Sequence, residues 1–182
     1  MKTIFKITII FFVLTLIVCC TKKESSESTN TFTIGQNYGG GIIFYIDGTG
    51  QHGLIAATSD QVNSAWGNPT ITISGTSSDL GTGQANTNAI ITAHGVSSYA
   101  ANVCNQLVLG GYSDWFLPSK DELSYLYNQK GLVGGFGSVY TYYWSSTEAA
   151  TNAAWIQRFD NGAQLNYLKS GTSCSTRAIR AF

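Results

Sequence analysis

The chain has 182 residues, of which 43% are hydrophobic and only 11% are charged, against about 25% charged in ordinary soluble proteins. This length suits one domain that buries roughly 70% of its unfolded surface. The formal net charge is zero, and from Thr31 onward there are six Lys and Arg and eight Asp and Glu residues. This balance, without a basic run, excludes the electrostatic footprint of a nucleic-acid-binding protein.

The N-terminus has the features of an export signal. Lys2 and Lys6 precede an apolar run over residues 7–18, which is shorter than the ~20 residues of a membrane-spanning helix. The run ends in Cys19 and Cys20 and resembles the lipobox of bacterial lipoproteins. Because that signal peptidase needs a small residue before the modified cysteine, we expect lipid on Cys20. Lipid on Cys19 and an ordinary cleaved signal peptide are the alternatives.

The expected organisation is a signal peptide over residues 1–19, a flexible polar tether over 20–34 and a folded domain over 35–182. Two or more acyl chains on the N-terminal cysteine hold a protein stably on a membrane. The protein is therefore expected in the cell envelope, anchored by lipid in the outer membrane. Whether the domain faces the periplasm or the cell surface stays open.

The first predicted elements of the domain form a hairpin followed by a long loop. Residues 42–46 are a continuous apolar run typical of a buried strand, and residues 51–57 return as a second strand. Residues 58–83 are mostly polar or small, with Trp66 alone among them, which predicts a long irregular excursion. Long loops of this kind often form binding surfaces.

The middle of the chain is predicted to be helical. Residues 84–109 have apolar side chains at helical spacing and a break near Gly95, which predicts two helices. A corner follows at residues 110–118, and Ser119 and Glu122 then match the S-x-x-E capping box that begins a further helix.

The C-terminal part has the composition of antiparallel strands. Residues 140–147 and 153–159 have high strand propensity, and residues 160–162, Asp-Asn-Gly, are a strong hairpin turn signal. A last strand is expected over residues 175–181. Strands, then helices, then strands without βαβ alternation predict an α+β domain.

Cys104 and Cys174 remain as an even pair in an exported domain, which favours a disulfide. A bridge between them closes a loop of about 70 residues and contributes about 4 kcal/mol in the chain-entropy model. Two buried free thiols are the alternative. A zinc site with His52 and His94 is disfavoured, because none of the spacings is typical of zinc ligands.

Three motifs are jointly recognisable: GGYSDWFLPSKDEL at residues 110–123, YYWSSTE at 142–148 and STRAIRAF at 175–182. They resemble the domain of unknown function at the C-terminus of the Legionella collagen-like adhesin, in the form common among Bacteroidetes lipoproteins. A weaker similarity links the W-x-L-P-[ST]-x-x-E-L element to C-type lectin-like and formylglycine-generating-enzyme folds. This similarity implies a lectin-like domain of antiparallel strands with two or three helices. It also agrees with a Cys104–Cys174 bridge, because lectin-like domains commonly tie a helix to the final strand.

The sequence departs from both of these distant relatives at their functional residues. Trp144 is followed by two serines, and the E-P-N or Q-P-D triplets of calcium-dependent lectins do not occur. Cys174 has no neighbouring cysteine to match the paired cysteines of the formylglycine enzyme. The resemblance therefore implies neither calcium-dependent sugar binding nor oxidase chemistry, and we expect no metal and no cofactor.

The candidate ligand-binding residues are Trp66, Asp60, Glu148 and Asn152. An exposed Trp66 could stack on a sugar, although burial as a lid on the core is the alternative. The indoles of Trp115, Trp144 and Trp155 are expected in the core. His52 and His94 are expected to be structural or merely exposed, and at least one of Arg177 and Arg180 should pair with a helix carboxylate.

The leading hypothesis is a non-enzymatic, membrane-anchored domain that binds a glycan, a polysaccharide or a surface protein as an adhesin. The first alternative is an envelope hydrolase that uses Glu148 and Asp60, although the sequence does not indicate that they lie at the required separation. The second alternative is a structural subunit of a surface protein assembly.

Overall fold

The computed structural model describes residues 31–137 and 139–182 and has the predicted α+β architecture, with two antiparallel sheets and four helices in that part of the chain. The strands are β1 (Asn37–Tyr38), β2 (Gly41–Ile46), β3 (Gly53–Ala56), β4 (Tyr142–Ala150), β5 (Ala153–Arg158), β6 (Gln164–Leu168) and β7 (Ile179–Ala181). The helices are α1 (Gly83–His94), α2 (Ala100–Asn105), α3 (Lys120–Asn128) and α4 (Lys130–Val133). The short α4 adds a helix to the two or three expected.

The first sheet has the strand order β1-β2-β3-β7 and joins the two ends of the domain. Asp47 begins the turn after β2, where its carboxylate accepts hydrogen bonds from the backbone N–H groups of Thr49 and Gly50. All four residues of β3 are buried because the strand lies between β2 and β7. The predicted N-terminal hairpin is therefore confirmed, and the predicted last strand is shorter than expected.

The second sheet has the order β4-β5-β6. The Asp-Asn-Gly turn joins β5 to β6, and Gly162 has a φ of 81°, a conformation that costs glycine little. Directly paired residues share a face of the sheet, so Trp144, Ile156 and Leu165 lie side by side on one face. The N-terminus of α3 covers part of the opposite face, where the Lys120 ammonium lies 3.8 Å from the centre of the Trp155 ring.

The corner before α3 has the predicted capping box. The Ser119 hydroxyl accepts from the Glu122 N–H at 3.2 Å, and the Glu122 carboxylate accepts from the Ser119 N–H at 2.7 Å. The same carboxylate accepts from the Gly81 N–H at 2.9 Å, which ties the corner to the end of the long excursion. Burial raises the pKa of Glu122, and the hydrogen bonds from backbone N–H groups oppose that shift.

The excursion is irregular, as predicted, and it packs on the core instead of standing away from it. An isolated bridge pairs Gln61 with Thr176, and Ile73 is buried. The three indoles of Trp66, Trp115 and Trp144 are fully buried within one apolar cluster. A second cluster, around Phe44, Phe116, Tyr143 and Phe159, lies next to the first sheet and α3.

Cys104 and Cys174 are free thiols in this structure, in place of the predicted disulfide. Both are buried in the same apolar cluster, where a thiol packs as a small hydrophobic group. Burial raises the pKa of the Cys174 thiol to about 12 and raises that of Cys104 as well. Neither thiol is therefore ionised near neutral pH, which makes both poor nucleophiles.

The signal peptide, most of the tether and Cys20 lie outside the described residues. Phe32 lies within the predicted tether, and the centre of its ring is 4.8 Å from the ring centres of both Tyr38 and Phe182. Packing therefore begins before the predicted boundary at residue 35. Within residues 31–137 and 139–182, no helix is both long enough and apolar enough to cross a membrane.

Candidate functional site

Trp66 is fully buried and does not offer a face to a sugar. Its indole N–H donates to the backbone oxygen of Ser145 at 2.7 Å, so the polar edge of the ring is satisfied inside the protein. The exposed stacking residue that its loop position suggested is therefore not found. The alternative, a lid on the core, describes its place in the structure.

Three of the four candidate residues meet at a residue that the sequence did not single out. Lys169 is fully buried, and its ammonium forms an ion pair with Glu148 and lies 4.8 Å from the centre of the Trp66 ring. Its backbone N–H donates to the backbone oxygen of Asn152 at 3.0 Å. We call Trp66, Glu148, Lys169 and the backbone oxygen of Asn152 the Lys169 cluster; the side chain of Asn152 is exposed.

The Lys169 cluster holds the excursion in place. The Lys169 ammonium donates to the backbone oxygen of Ile71 at 2.7 Å, and Glu148 accepts from the Ile73 N–H at 2.9 Å. The backbone oxygen of Lys169 accepts from the N–H of Trp66 at 2.8 Å. Because both charges are paired and bonded to backbone groups, the cluster is satisfied internally and functions as structural support.

Asp60 has a similar structural role at a separate place. Its carboxylate accepts from the guanidinium of Arg177, with an Nε to Oδ1 distance of 2.7 Å, and from the Tyr143 hydroxyl at 2.8 Å. Arg177 is fully buried and also donates to the backbone oxygens of Ala57 and Gly135. The ion pair therefore joins the start of the excursion to the glycine-rich loop after α4.

Arg180 forms an ion pair with Asp114, with an Nε to Oδ1 distance of 2.7 Å. Both arginines thus have carboxylate partners, but Asp60 and Asp114 lie in loops and not on a helix as expected.

Asp60 and Glu148 do not form the carboxylate pair that a glycoside hydrolase needs. Asp60 contacts Tyr143 near the start of β4, and Glu148 lies further along that strand, where a bulge leaves it opposite a β5 residue three positions from the partner of Tyr143, on the order of 10 Å away. Hydrolases of this type place the two groups about 5 to 9 Å apart. Tyr143 pairs with Gln157 and Glu148 pairs with Ala154, so the side chains of Tyr143 and Glu148 leave opposite faces of the sheet. Asp60 bonds to Tyr143 and is therefore on the other side of the sheet from Glu148.

The structure has a different candidate for ligand binding, on the face of the second sheet opposite α3. It is a cleft of about 220 Å³ lined by Tyr142, Ile156, Leu165, Asn166, Tyr167, Ser173 and Cys174. We call it the β6 cleft. Ile156 and Cys174 are buried at its base, and Leu165 and Tyr167 are 44% and 39% exposed at its edge. Large apolar and aromatic groups are therefore accessible at one concave place.

Tyrosines on two strands, Tyr142 on β4 and Tyr167 on β6, line the β6 cleft. Tyr167 lies 5.8 Å from the Trp144 ring, centre to centre, and its hydroxyl is 3.2 Å from that of Ser173. The Tyr142 hydroxyl has no hydrogen-bond partner among the described residues. The cleft thus combines ring faces with hydroxyl groups that are available to a ligand.

Two opposite charges beside Tyr142 at the rim of the β6 cleft, those of Arg158 and Asp160, neutralise each other. The Arg158 guanidinium lies 4.2 Å from the centre of the Tyr140 ring and 5.9 Å from that of Tyr142. Both Nε and Nη2 of Arg158 donate to the carboxylate of Asp160. These hydrogen bonds hold the pKa of Asp160 below its usual value, so the pair stays ionised and has no net charge.

The sequence contained only a weak signal for the β6 cleft. The Asp-Asn-Gly turn indicated a strand after residue 162, and the apolar residues Leu165, Tyr167 and Leu168 follow it. Four of the five residues of β6 are exposed, on both faces of an edge strand. Exposed apolar residues on such a strand cannot be distinguished from core residues by their pattern alone.

Among residues 31–137 and 139–182, no group of three or more His, Cys, Asp or Glu side chains is arranged to hold a metal ion. His52 is exposed, and His94 is partly buried beside the Lys169 cluster. The Nε2 atom of His94 accepts from the Asn68 N–H at 3.2 Å, and its ring is 6.2 Å from that of Trp66. Its role in the described structure is therefore packing and loop support.

The family model of the Lcl C-terminal domain matches residues 57–180. The match runs from the end of β3 into β7 and includes the excursion, all four helices, the Lys169 cluster and the β6 cleft. No curated protein matches the chain. The family match covers more than half of the sequence, so the chain belongs to the Lcl C-terminal domain family.

Proposed function

We propose that this protein is a lipid-anchored cell-envelope protein whose Lcl C-terminal domain binds a glycan or another surface partner without catalysing a reaction. The β6 cleft is the single observation that carries the binding role. It is concave, it has two tyrosines on its walls, and Leu165 and Tyr167 at its edge are accessible. The carboxylates that an enzyme would use are instead paired with buried cations.

Binding to an array of polysaccharides tests this proposal. The full chain, purified in mild detergent, is applied in parallel as the native protein and as Tyr167→Ala. We expect the native protein to bind at least one polysaccharide and the variant to bind it about tenfold more weakly, since an aromatic wall has been removed. Absence of binding to every polysaccharide and to intact cells would contradict the proposal.

The chain offers a matched control for this experiment. Leu165 and Leu168 lie on the same edge strand and are 44% and 55% exposed. They are three residues apart, so their side chains leave opposite faces of the sheet, and only Leu165 lines the β6 cleft. Leu165→Ser should weaken binding and Leu168→Ser should not. Equal loss in both variants would indicate that the edge of β6, and not the cleft, makes the contact.

The lipid anchor is the second part of the proposal. Lipid on Cys20 follows from the sequence pattern after residues 7–18, and it would hold the domain at the membrane through the polar tether. Mass spectrometry of the mature N-terminus should find an acylated Cys20. Cys20→Ser should release the protein from the membrane fraction, whereas Cys19→Ser should not. An unmodified N-terminus would contradict the anchor without affecting the binding test.

A structural subunit of a surface assembly is the second candidate function, and the exposed edge of β6 favours it. An edge strand with exposed apolar side chains can pair with a strand of another protein. Cross-linking in cells should then capture a stable protein neighbour through β6. In that case Leu165→Ser and Leu168→Ser should both weaken the contact, which distinguishes this function from binding within the cleft.

A further inference from the structure

We infer that the β6 cleft takes one uncharged sugar ring of a glycan, stacked between Tyr142 and Tyr167. This inference rests on the proposed binding function and adds the class of ligand.

The charge of the β6 cleft favours an uncharged ligand. In the part of the chain that the structure describes, no Lys, Arg, Asp or Glu side chain lines it. Sulfate, phosphate and carboxylate groups are bound in proteins mainly by charge-assisted hydrogen bonds from arginine or lysine. The one guanidinium at the rim, Arg158, already directs its Nε and Nη2 donors at Asp160. An anionic sugar would therefore lose part of its hydration in the cleft without finding an unpaired cation to bind it.

The size of the cleft favours a single ring. Its volume of about 220 Å³ is below the roughly 300–1,000 Å³ that is typical of pockets for drug-sized ligands. One pyranose ring, with the rest of the glycan outside, suits such a volume better than a larger fused-ring ligand.

The surface chemistry matches the two kinds of surface on a sugar. The C–H face of a pyranose packs on aromatic rings through dispersion, and its hydroxyl groups need hydrogen-bonding partners. Tyr142 and Tyr167 supply aromatic rings to the lining, and Ile156 is buried beneath it. The hydroxyls of Tyr142, Tyr167 and Ser173 both donate and accept. A wholly apolar ligand would leave the Tyr142 hydroxyl without a partner, whereas those of Tyr167 and Ser173 bond to each other.

Gly171 positions the Tyr167 wall. The phenol ring of Tyr167 lies against Gly171, so that a Cβ atom added there would clash with the edge of the ring. The preceding Lys169 is fixed by its ion pair with Glu148, which limits how far this turn can move away. Gly171→Ala should therefore displace the Tyr167 ring while every side chain that lines the cleft is retained.

The test compares the full chain with two sets of probes: uncharged galactan and mannan, and anionic polygalacturonate and heparin. The variants are Tyr167→Ala, Gly171→Ala and the Leu168→Ser control. We expect binding to an uncharged probe that changes little between low and high salt, because no ion pair is made. Affinity should fall about tenfold in Tyr167→Ala, fall to a smaller extent in Gly171→Ala and stay unchanged in Leu168→Ser. Circular dichroism establishes that each variant is folded.

The outcomes separate this inference from the proposed function. Binding only to the anionic probes, weakened by salt, would overturn the uncharged ligand and leave the binding function standing. Binding to an uncharged probe that Tyr167→Ala does not affect would overturn the cleft as the sugar site. Absence of binding to both sets and to intact cells would overturn the binding function together with the inference.

Discussion

The Lys169 cluster and the β6 cleft are both rich in aromatic and polar groups, yet they differ in where those groups find partners. In the cluster, the charges of Lys169 and Glu148 and the indole N–H of Trp66 are bonded inside the protein. In the cleft, the rings of Tyr142 and Tyr167 are accessible and the Tyr142 hydroxyl is free of described partners. Chemically suggestive residues therefore indicate a binding site only when the fold leaves their interactions incomplete.

The largest expected effect is the loss of Lys169. Lys169→Met leaves Glu148, whose side chain is only 10% exposed, without its cation and removes the hydrogen bond to Ile71. Breaking a buried ion pair from one side costs about 3–5 kcal/mol, so the free energy of unfolding measured in urea should fall by that amount. The double variant Lys169→Met with Glu148→Gln should recover part of the loss. A change below about 1 kcal/mol would show that the cluster does not hold the excursion.

An intermediate effect is expected at Trp66. Trp66→Phe keeps an aromatic ring but removes the N–H that donates to Ser145 and leaves a small cavity in a fully buried site. The free energy of unfolding should fall by about 2 kcal/mol. Binding to any polysaccharide should stay unchanged in the folded variant. Loss of binding with normal stability would identify Trp66 as a ligand contact and contradict its assignment as structural support.

A smaller effect is expected from pH, through His94 beside the Lys169 cluster. Burial lowers the pKa of His94 and the charge of Lys169 lowers it further, whereas Glu148 raises it. The unfolded chain, with a histidine pKa of about 6.5, therefore takes up a proton more readily than the folded chain. The contribution of neutral His94 is complete above about pH 6.5 and decreases as the pH falls toward the lower folded pKa.

Urea unfolding at several pH values between 5 and 7 measures this effect. His94→Gln, which retains an acceptor for the Asn68 N–H, should reduce the loss of stability over that interval. The same slope in both proteins would assign the pH dependence to other groups.

The smallest effect on stability is expected in the β6 cleft. Tyr167→Ala removes a ring that is 39% exposed and whose hydroxyl contacts only Ser173 among the described residues. The free energy of unfolding should change by about 1 kcal/mol or less, while binding is lost as described above. A loss comparable to that of Lys169→Met would identify Tyr167 as a structural residue and remove the contrast between the two regions.

Local patterns in the sequence predicted the elements well. The capping box at Ser119, the N-terminal hairpin and the Asp-Asn-Gly turn depend on residues that are close in the chain, and each is present as expected. The burial of Trp115 and Trp144 followed from their size and their strand or corner context. The α+β class then followed from the order of these elements.

The partners of the buried charges were not predictable in the same way. Arg177 and Asp60 are 117 residues apart in the chain, and Trp66 and Ser145 are 79 apart. The sequence allowed Trp66 to be interpreted as exposed, because the residues around it are mostly polar or small. The backbone oxygens and the Lys169 side chain that cover it come from distant segments.

The sequence by itself determined the order and type of the elements, the low charge and the expected export signal, because these depend on composition and on neighbours a few residues apart. Only the tertiary structure decided which candidates are support and which are accessible. Trp66, Glu148 and the backbone oxygen of Asn152 converge on Lys169, whereas the β6 cleft is assembled from β4, β5, β6 and residues 173–174. Burial and hydrogen-bond satisfaction depend on long-range contacts, which form only when separate segments of the chain pack together.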